Sequence, residues 1–313
     1  MKGDKKNMKT VKIGGQLEAS ALAMGLMRIN EMSVNDIQTL LDTAIDGGIN
    51  FFDHADIYGN GDCETLFGQV MKKAKYSRDK ILIQTKCGID NGIYNLSKEH
   101  ITWSLDESLK RLQTDYVDVF LLHRPDTLVE PEEVCEAFDR IHKSGKVRYF
   151  GVSNHNSGQI RLLNKYLSGN LSIIVNQLQF SPTNTEIINS GLNVNMQNTS
   201  ALDHDDNILN YCRYENISIQ TWSPFQYGFF EGVFLGSNKY PQLNAVIDDM
   251  AKQKSVTPEA IVIAWTLRHP AITQVIPGST NIKRVKNMCA AFTFDMSREE
   301  WYEIYIAAGN TLP

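Results

Sequence analysis

The chain has 313 residues, 42% of them hydrophobic and 21% charged, which supports a sizeable core and excludes a disordered or fibrous chain. Lys and Arg number 31 against 36 Asp and Glu, a net charge of −5, and this provides no electrostatic footprint for nucleic acid or an anionic membrane. The longest apolar stretches, 21–27 and 260–267, fall far short of the roughly 18 residues that span a bilayer.

The opening MKGDKKNMKTV is basic, and no apolar stretch of signal-peptide type follows it. Residues 1–10 are expected to be a flexible tail on a single domain covering 1–313. Short apolar runs then recur along the chain. They are 21–25, 49–53 (INFFD), 80–86 (KILIQTK), 116–123 (YVDVFLLH), 147–152 (VRYFGV), 172–177 (SIIVNQ), 217–222 (ISIQTW) and 271–276 (AITQVI). Most are apolar on both faces, as strands of a helix-covered parallel sheet are.

Helical patterns lie between them. Ser33 caps a helix with Ile37, Leu40, Leu41 and Ala44 inward, and Gly47-Gly48 stops it. Pro131 opens a helix burying Val134, Ala137, Phe138 and Ile141, closed by Gly145. Thr257 caps and Pro258 starts the helix over 259–268, which Pro270 ends. About eight β-then-α units without a linker predict one closed (β/α)8 barrel, a TIM barrel. The rival, a doubly wound sheet, usually carries a GxGxxG turn, and here Glu64 occupies the third glycine position after Gly59-Asn60-Gly61. The five cysteines form no CxxC, which fits free thiols and a cytoplasmic setting.

Barrel chemistry sits at the carboxyl ends of the strands. Those ends carry Asp53, Lys86, His123, Ser153 with Asn154, Gln177, Trp222, and Gly278 with Ser279. Asp53, Tyr58, Lys86 and His123 are the informative four. A phenol is a poor acid at neutral pH, an ammonium within about 4–6 Å favours its phenolate, and an aspartate keeps that ammonium charged and in place. The expectation is therefore a Tyr58 pKa lowered by Lys86, with His123 orienting a carbonyl oxygen or shuttling the proton. Such a set protonates a substrate oxygen while a nicotinamide or flavin delivers hydride. Two rivals use the same residues: a Schiff base on Lys86, and a metal held by Asp53, His54, Asp56 and His123.

From about residue 21 to 288 the sequence resembles the aldo-keto reductase family. The resemblance is carried by FFDHADIYG (51–59), QTK (84–86), VFLLH (119–123), GVSN (151–154), NQ (176–177), WSPF (222–225) and IPGS (276–279). It implies an NADPH-dependent oxidoreductase with Tyr58 as general acid, tuned by Lys86 and Asp53, and with His123 setting carbonyl orientation. Ser153, Asn154 and Gln177 match positions that hold the nicotinamide carboxamide. Trp222 stands where the family usually has a ring-stacking tyrosine. Ser223, Pro224 and Phe225 follow at the pyrophosphate loop, and Met27 and Arg28 are placed on the cofactor side. Gly278, Ser279, Arg284 and Asn287 match the adenosine-phosphate end. Many relatives have Lys where Gly278 stands, so NADP is expected with a weakened preference over NAD.

The stretch 180–206 is long, polar and Asn-rich. The stretch 226–240 holds Tyr227, Phe229, Phe230 and Phe234, which would suit an apolar pocket. The chain ends soon after a helix over 297–308, from which an open site and broad carbonyl tolerance are expected. The expected partner is a small-molecule carbonyl substrate, with no metal, nucleic acid or membrane, for a monomer or weak homo-oligomer. Some relatives, such as the β subunits of potassium channels, act chiefly as regulatory partners. The alternative reading is thus a non-catalytic nicotinamide-nucleotide-binding module, against which the presence of all four catalytic side chains weighs.

Overall fold

The computed structural model describes residues 8–74 and 76–313. Residues 1–7 of the expected tail lie outside the described residues. Thr10, by contrast, already belongs to a strand.

That strand, β1 (Thr10–Ile13), pairs antiparallel with β2 (Leu17–Ser20) in a hairpin that the tail reading passed over. Gly14 and Gly15 turn it, at φ +55° and +71°. A Cβ on Gly14 would meet Ile174 at 2.4 Å, so this close approach requires glycine. Alternation around a Gly-Gly pair is a hairpin signal, and it stands in VKIGGQLEAS. Ile13, Leu17 and Ala19 cluster with Phe51, Leu82, Val119, Leu121 and Val175, closing the amino end of the barrel.

The barrel strands follow: β3 (Met24–Gly25), β4 (Phe51–Asp53) and β5 (Leu82–Cys87). A small hairpin, β6 (Ile89–Asp90) with β7 (Ile93–Tyr94), rises above β5. Then come β8 (Val117–Leu122), β9 (Val147–Ser153), β10 (Ile173–Gln179) and β11 (Ser218–Trp222). A second small hairpin is β12 (Gln226–Tyr227) with β13 (Gly232–Val233), and β14 (Ile272–Ile276) is last. Eight of these form one parallel sheet in the order β14-β11-β10-β9-β8-β5-β4-β3. Its two edges meet through Ala23 N to Val275 O at 2.8 Å, Val275 N to Ala21 O at 3.0 Å and Gly25 N to Pro277 O at 2.9 Å. The sheet is therefore a (β/α)8 barrel.

Helices surround it. In α1 (Val34–Asp46) Ser33 accepts from Asp36 N, and the predicted Ile37, Leu40, Leu41 and Ala44 are buried. Next come α2 (Asp62–Lys73), α3 (Lys98–Leu112), α4 (Pro131–Lys143), α5 (Ser157–Tyr166), α6 (Glu186–Leu192), α7 (Ile208–Tyr214) and α8 (Pro241–Gln253). In α4 the predicted inward face is buried and Gly145 follows at φ +77°. The helix α9 (Pro258–Arg268) begins after Thr257, whose hydroxyl makes no capping bond. The circuit ends with α10 (Ile282–Cys289) and α11 (Arg298–Ala307). No helix among the described residues is long and apolar enough to cross a membrane.

Candidate active site

Period-2 alternation on β5 points Gln84 and Lys86 into the barrel and Thr85 and Cys87 toward the helices. Lys86 is fully buried. Its ammonium donates to Asp53 Oδ1 and Oδ2 at 2.8 and 2.7 Å, to His54 O at 2.7 Å and to Tyr58 Oη at 3.3 Å. Three N–H groups thus serve the carboxylate, a carbonyl and the phenol oxygen. Tyr58 accepts from Lys86, which leaves the phenol's own proton for the cavity. The His123 ring lies 6.0 Å from the Tyr58 ring, at 80°.

Burial works against the Lys86 charge, but Asp53 and Tyr58 overcome it and hold the ammonium above its ordinary range. Burial also moves Tyr58, upward from its ordinary value near 10, with Lys86 pulling the other way. This corrects the expectation of a lowered phenol: desolvation outweighs the pull of the Lys86 charge, which Asp53 also opposes. His123 is pushed well below its ordinary range by burial, then by Lys86 and Arg124, so its imidazole is neutral. At neutral pH the site therefore presents a protonated phenol, a neutral imidazole and a compensated ammonium.

Beneath this set the barrel interior is polar. Gln84 donates to Asp53 Oδ1 at 2.6 Å and to Gln220 Oε1 at 2.9 Å; Gln177 donates to the same two acceptors at 3.1 and 3.3 Å. Gln220 donates to Gln274 Oε1 at 2.8 Å, and Gln274 to Ser20 O at 2.6 Å. The amides tie Asp53 to the barrel floor. Gln220→Leu removes a shared acceptor from two buried amides, and an unpaired buried donor costs about 1–3 kcal/mol. The urea midpoint is expected to fall by the equivalent of about 2 kcal/mol with an unchanged slope; an unshifted midpoint would show the chain to be dispensable.

The proposed metal and Schiff-base arrangements fare differently from this network. His54 packs edge-on to Phe67 at 4.5 Å, and burial lowers its pKa to about 3. Asp56 turns to Ser104 Oγ, 2.6 Å away. Among the described residues no three His, Cys, Asp or Glu side chains converge on a common point. Lys86, held charged, is not the free amine that a Schiff base needs.

Tyr58, His123, Ser153, Asn154, Gln177, Trp222 and Ser223 line one cavity of about 650 Å³. Trp222 Nε1 donates to Asn154 Oδ1 at 3.2 Å, Asn154 Nδ2 to Ser153 Oγ at 2.8 Å, and Ser153 Oγ to Gln177 O at 3.0 Å. The indole is also stacked on Phe230, centroids 5.9 Å apart. A second cavity, of about 200 Å³, shares Met27, Ser223 and Gly278 with the first and runs on past Arg28, Pro224, Phe225 and Ser279 to Arg284. Asn287 does not line it. Its amide donates to Glu259 Oε2 at 3.4 Å, and Glu259 is in the wall.

The expected loops divide. Phe229 and Phe230 line the main cavity, whereas Phe234 is fully buried and Tyr227 packs on Tyr240. No residue of 180–206 lines either cavity; Phe180 stacks on Trp265, 5.2 Å away. Sequence reasoning missed Arg124, Tyr94, Gln226 and Glu259. Arg124 directly follows His123 and Glu259 directly follows Pro258, so both were within reach of a strand-end and helix-start reading.

The model of the aldo/keto reductase family matches residues 21–308. The chain belongs to this family and is an oxidoreductase. Among curated relatives it is 35% identical to the oxidoreductase YcsN of Bacillus subtilis, over 98% of this chain and all of that one. It is 32% identical to the 6-dehydroglucose reductase of Agrobacterium fabrum, over 96% of this chain and 98% of that one. Among solved structures, an aldo/keto reductase from Klebsiella pneumoniae in complex with NADP and acetate aligns with a TM-score of 0.77. That alignment covers 98% of this chain and 97% of the other at 24% identity, a likeness of fold.

Proposed function

We propose that this protein reduces aldehydes or ketones to alcohols with NADPH, in the cytoplasm. The observation that carries the reading is the Lys86 hydrogen-bond set, which uses all its donors and leaves the Tyr58 proton facing the cavity beside His123. The five cysteines are free, as a reducing compartment permits.

The residues fit a dinucleotide. The two cavities share Met27, Ser223 and Gly278 in their walls, and Gln226 Oε1, in the wall of the second, is buried without a partner. Asn281 caps α10, whose amino end faces that cavity with Arg284 on its first turn. A Cβ on Gly278 would come no nearer than 3.9 Å to its neighbours, so the wall there stays open. In this reading Trp222 stacks on the nicotinamide, Ser153, Asn154 and Gln177 hold its carboxamide, and Arg28, Ser223, Ser279 and Arg284 take phosphates. When bound, the group supplies the hydride. Tyr58 gives its proton to the carbonyl oxygen, Lys86 stabilises the phenolate left behind, and Asp53 keeps Lys86 charged. His123 offers a neutral hydrogen-bonding edge to the same oxygen. The test is oxidation of NADPH, read at 340 nm, with a panel of aldehydes including 4-nitrobenzaldehyde. Aldehyde-dependent oxidation supports the reading, and cofactor binding without oxidation across the panel favours the regulatory-module alternative.

Cofactor preference is set between two charges. Arg284 suits a 2′-phosphate, while Glu259 lies 3.9 Å from its Nε and brings a carboxylate to the same wall. Arg284→Gln is expected to weaken NADPH binding about tenfold while NADH binding changes little, and Glu259→Gln to strengthen NADPH binding a few-fold. Quenching of protein fluorescence in parallel titrations reads both. Equal effects on the two cofactors would remove these residues from phosphate discrimination.

A further inference from the structure

One charge in the main cavity has no part in the reduction as derived. Arg124 lines that cavity but not the second one, so it lies away from the arm that ends at Arg284. Of the residues lining the main cavity it is the only Lys or Arg. The only acid there, Asp53, has its charge taken by Lys86.

The Arg124 guanidinium has found no anion. It lies over the face of Phe229, 5.7 Å from the ring centroid, and among the described residues no carboxylate forms an ion pair with it. Asp126, two residues on, is occupied: its oxygens accept from Leu96 N at 3.1 Å and Leu128 N at 2.9 Å. A half-buried guanidinium offers a planar fork of donors matched to an oxyanion. Tyr94, Trp222, Phe229 and Phe230 line the same cavity, so a substrate held by Arg124 would lie beside aromatic surface.

We propose that Arg124 binds an oxyanion group of the substrate, so that the carbonyl compounds this protein reduces best carry a carboxylate or similar anion at the end away from the reacting carbon. The proposal rests on the reductase reading and adds the substrate class to it. It involves no chemistry at Arg124: the guanidinium orients the substrate, and Tyr58 remains the proton donor.

The test compares 4-carboxybenzaldehyde with its neutral match, methyl 4-formylbenzoate, in the wild type, Arg124→Gln and Arg124→Lys. The quantity read is the ratio of kcat/KM for the acid over that for the ester, which cancels overall losses in a variant. In Arg124→Gln the ratio is expected to fall about tenfold, chiefly through KM of the acid, and in Arg124→Lys to recover in part. Added salt is expected to lower the wild-type ratio and leave the Arg124→Gln ratio unmoved. A ratio within twofold of wild type in Arg124→Gln overturns the proposal, as does an equal loss on both substrates. If the wild type reduces the ester but discriminates against the acid, the substrate class is wrong and the reductase reading stands. If it reduces neither while oxidising NADPH with other aldehydes of the panel, the proposal falls and the reductase reading stands; if no aldehyde of the panel is reduced, both fall.

Discussion

Replacing Tyr58 with Phe is expected to lower aldehyde reduction by about three orders of magnitude, within the usual span for loss of a general acid, and to leave NADPH binding within a few-fold. The substitution removes one oxygen and keeps the ring, so the cavity wall and the edge-on packing with His123 survive. What goes is the sole hydroxyl to which Lys86 donates, at 3.3 Å, and the proton that faces the cavity. Because burial holds this phenol above its ordinary value near 10, wild-type reduction is expected to lose nothing to phenolate formation below about pH 9. A fall in rate through neutral pH would point to another donor. Turnover retained in the Phe variant would take the acid role from Tyr58.

Lys86→Met has the second large effect, and it falls on stability as well as on rate. Asp53 accepts from the ammonium with both oxygens and is 3% exposed. Deleting the cation leaves a buried carboxylate with only amide donors, and breaking a buried pair from one side costs about 3–5 kcal/mol. Against a total of about 5–15 kcal/mol that is a large share, and a melting temperature lowered by about 10 °C is expected. The double variant Asp53→Asn with Lys86→Met removes both charges. It is expected to regain most of the loss in melting temperature while remaining inactive, since no cation then stabilises the phenolate. If the single variant melts with the wild type, the pair contributes little; if the double variant reduces aldehydes at the wild-type rate, the ammonium has no role in catalysis.

Much of this was legible in the residues because it depends on local rules. Two-sided apolar runs marked the barrel strands, and the cap Ser33 and the first-turn proline Pro131 marked helix starts. Polar residues at strand ends marked Asp53, Lys86 and His123, and the barrel brought them together around Tyr58. What stayed hidden depends on contacts distant in sequence. The hairpin at the barrel floor is held by Gly14 N to Ser218 Oγ, 204 residues apart, and its opening residues read as a basic tail. The direction of the Tyr58 shift is set first by its burial, which outweighs the pull of Lys86 and which spacing does not report. The stretch 180–206 stood out as long and polar, yet none of it lines the two cavities, and Phe180 stacks on Trp265. Glu259 stood in view at a helix start, but its part in the site comes from Arg284 and Asn287 on the next helix.

The central claim is that Tyr58 supplies the proton in the step that consumes the bound dinucleotide. Rapid mixing of NADPH-loaded protein with excess 4-nitrobenzaldehyde, followed at 340 nm, tests it within one turnover. The wild type is expected to oxidise one equivalent of bound NADPH per chain in a single fast phase, and Tyr58→Phe, loaded to the same extent, to do so at least about a hundredfold more slowly. Equal rates in the two proteins, or bound NADPH that stays reduced in the wild type, would contradict the account.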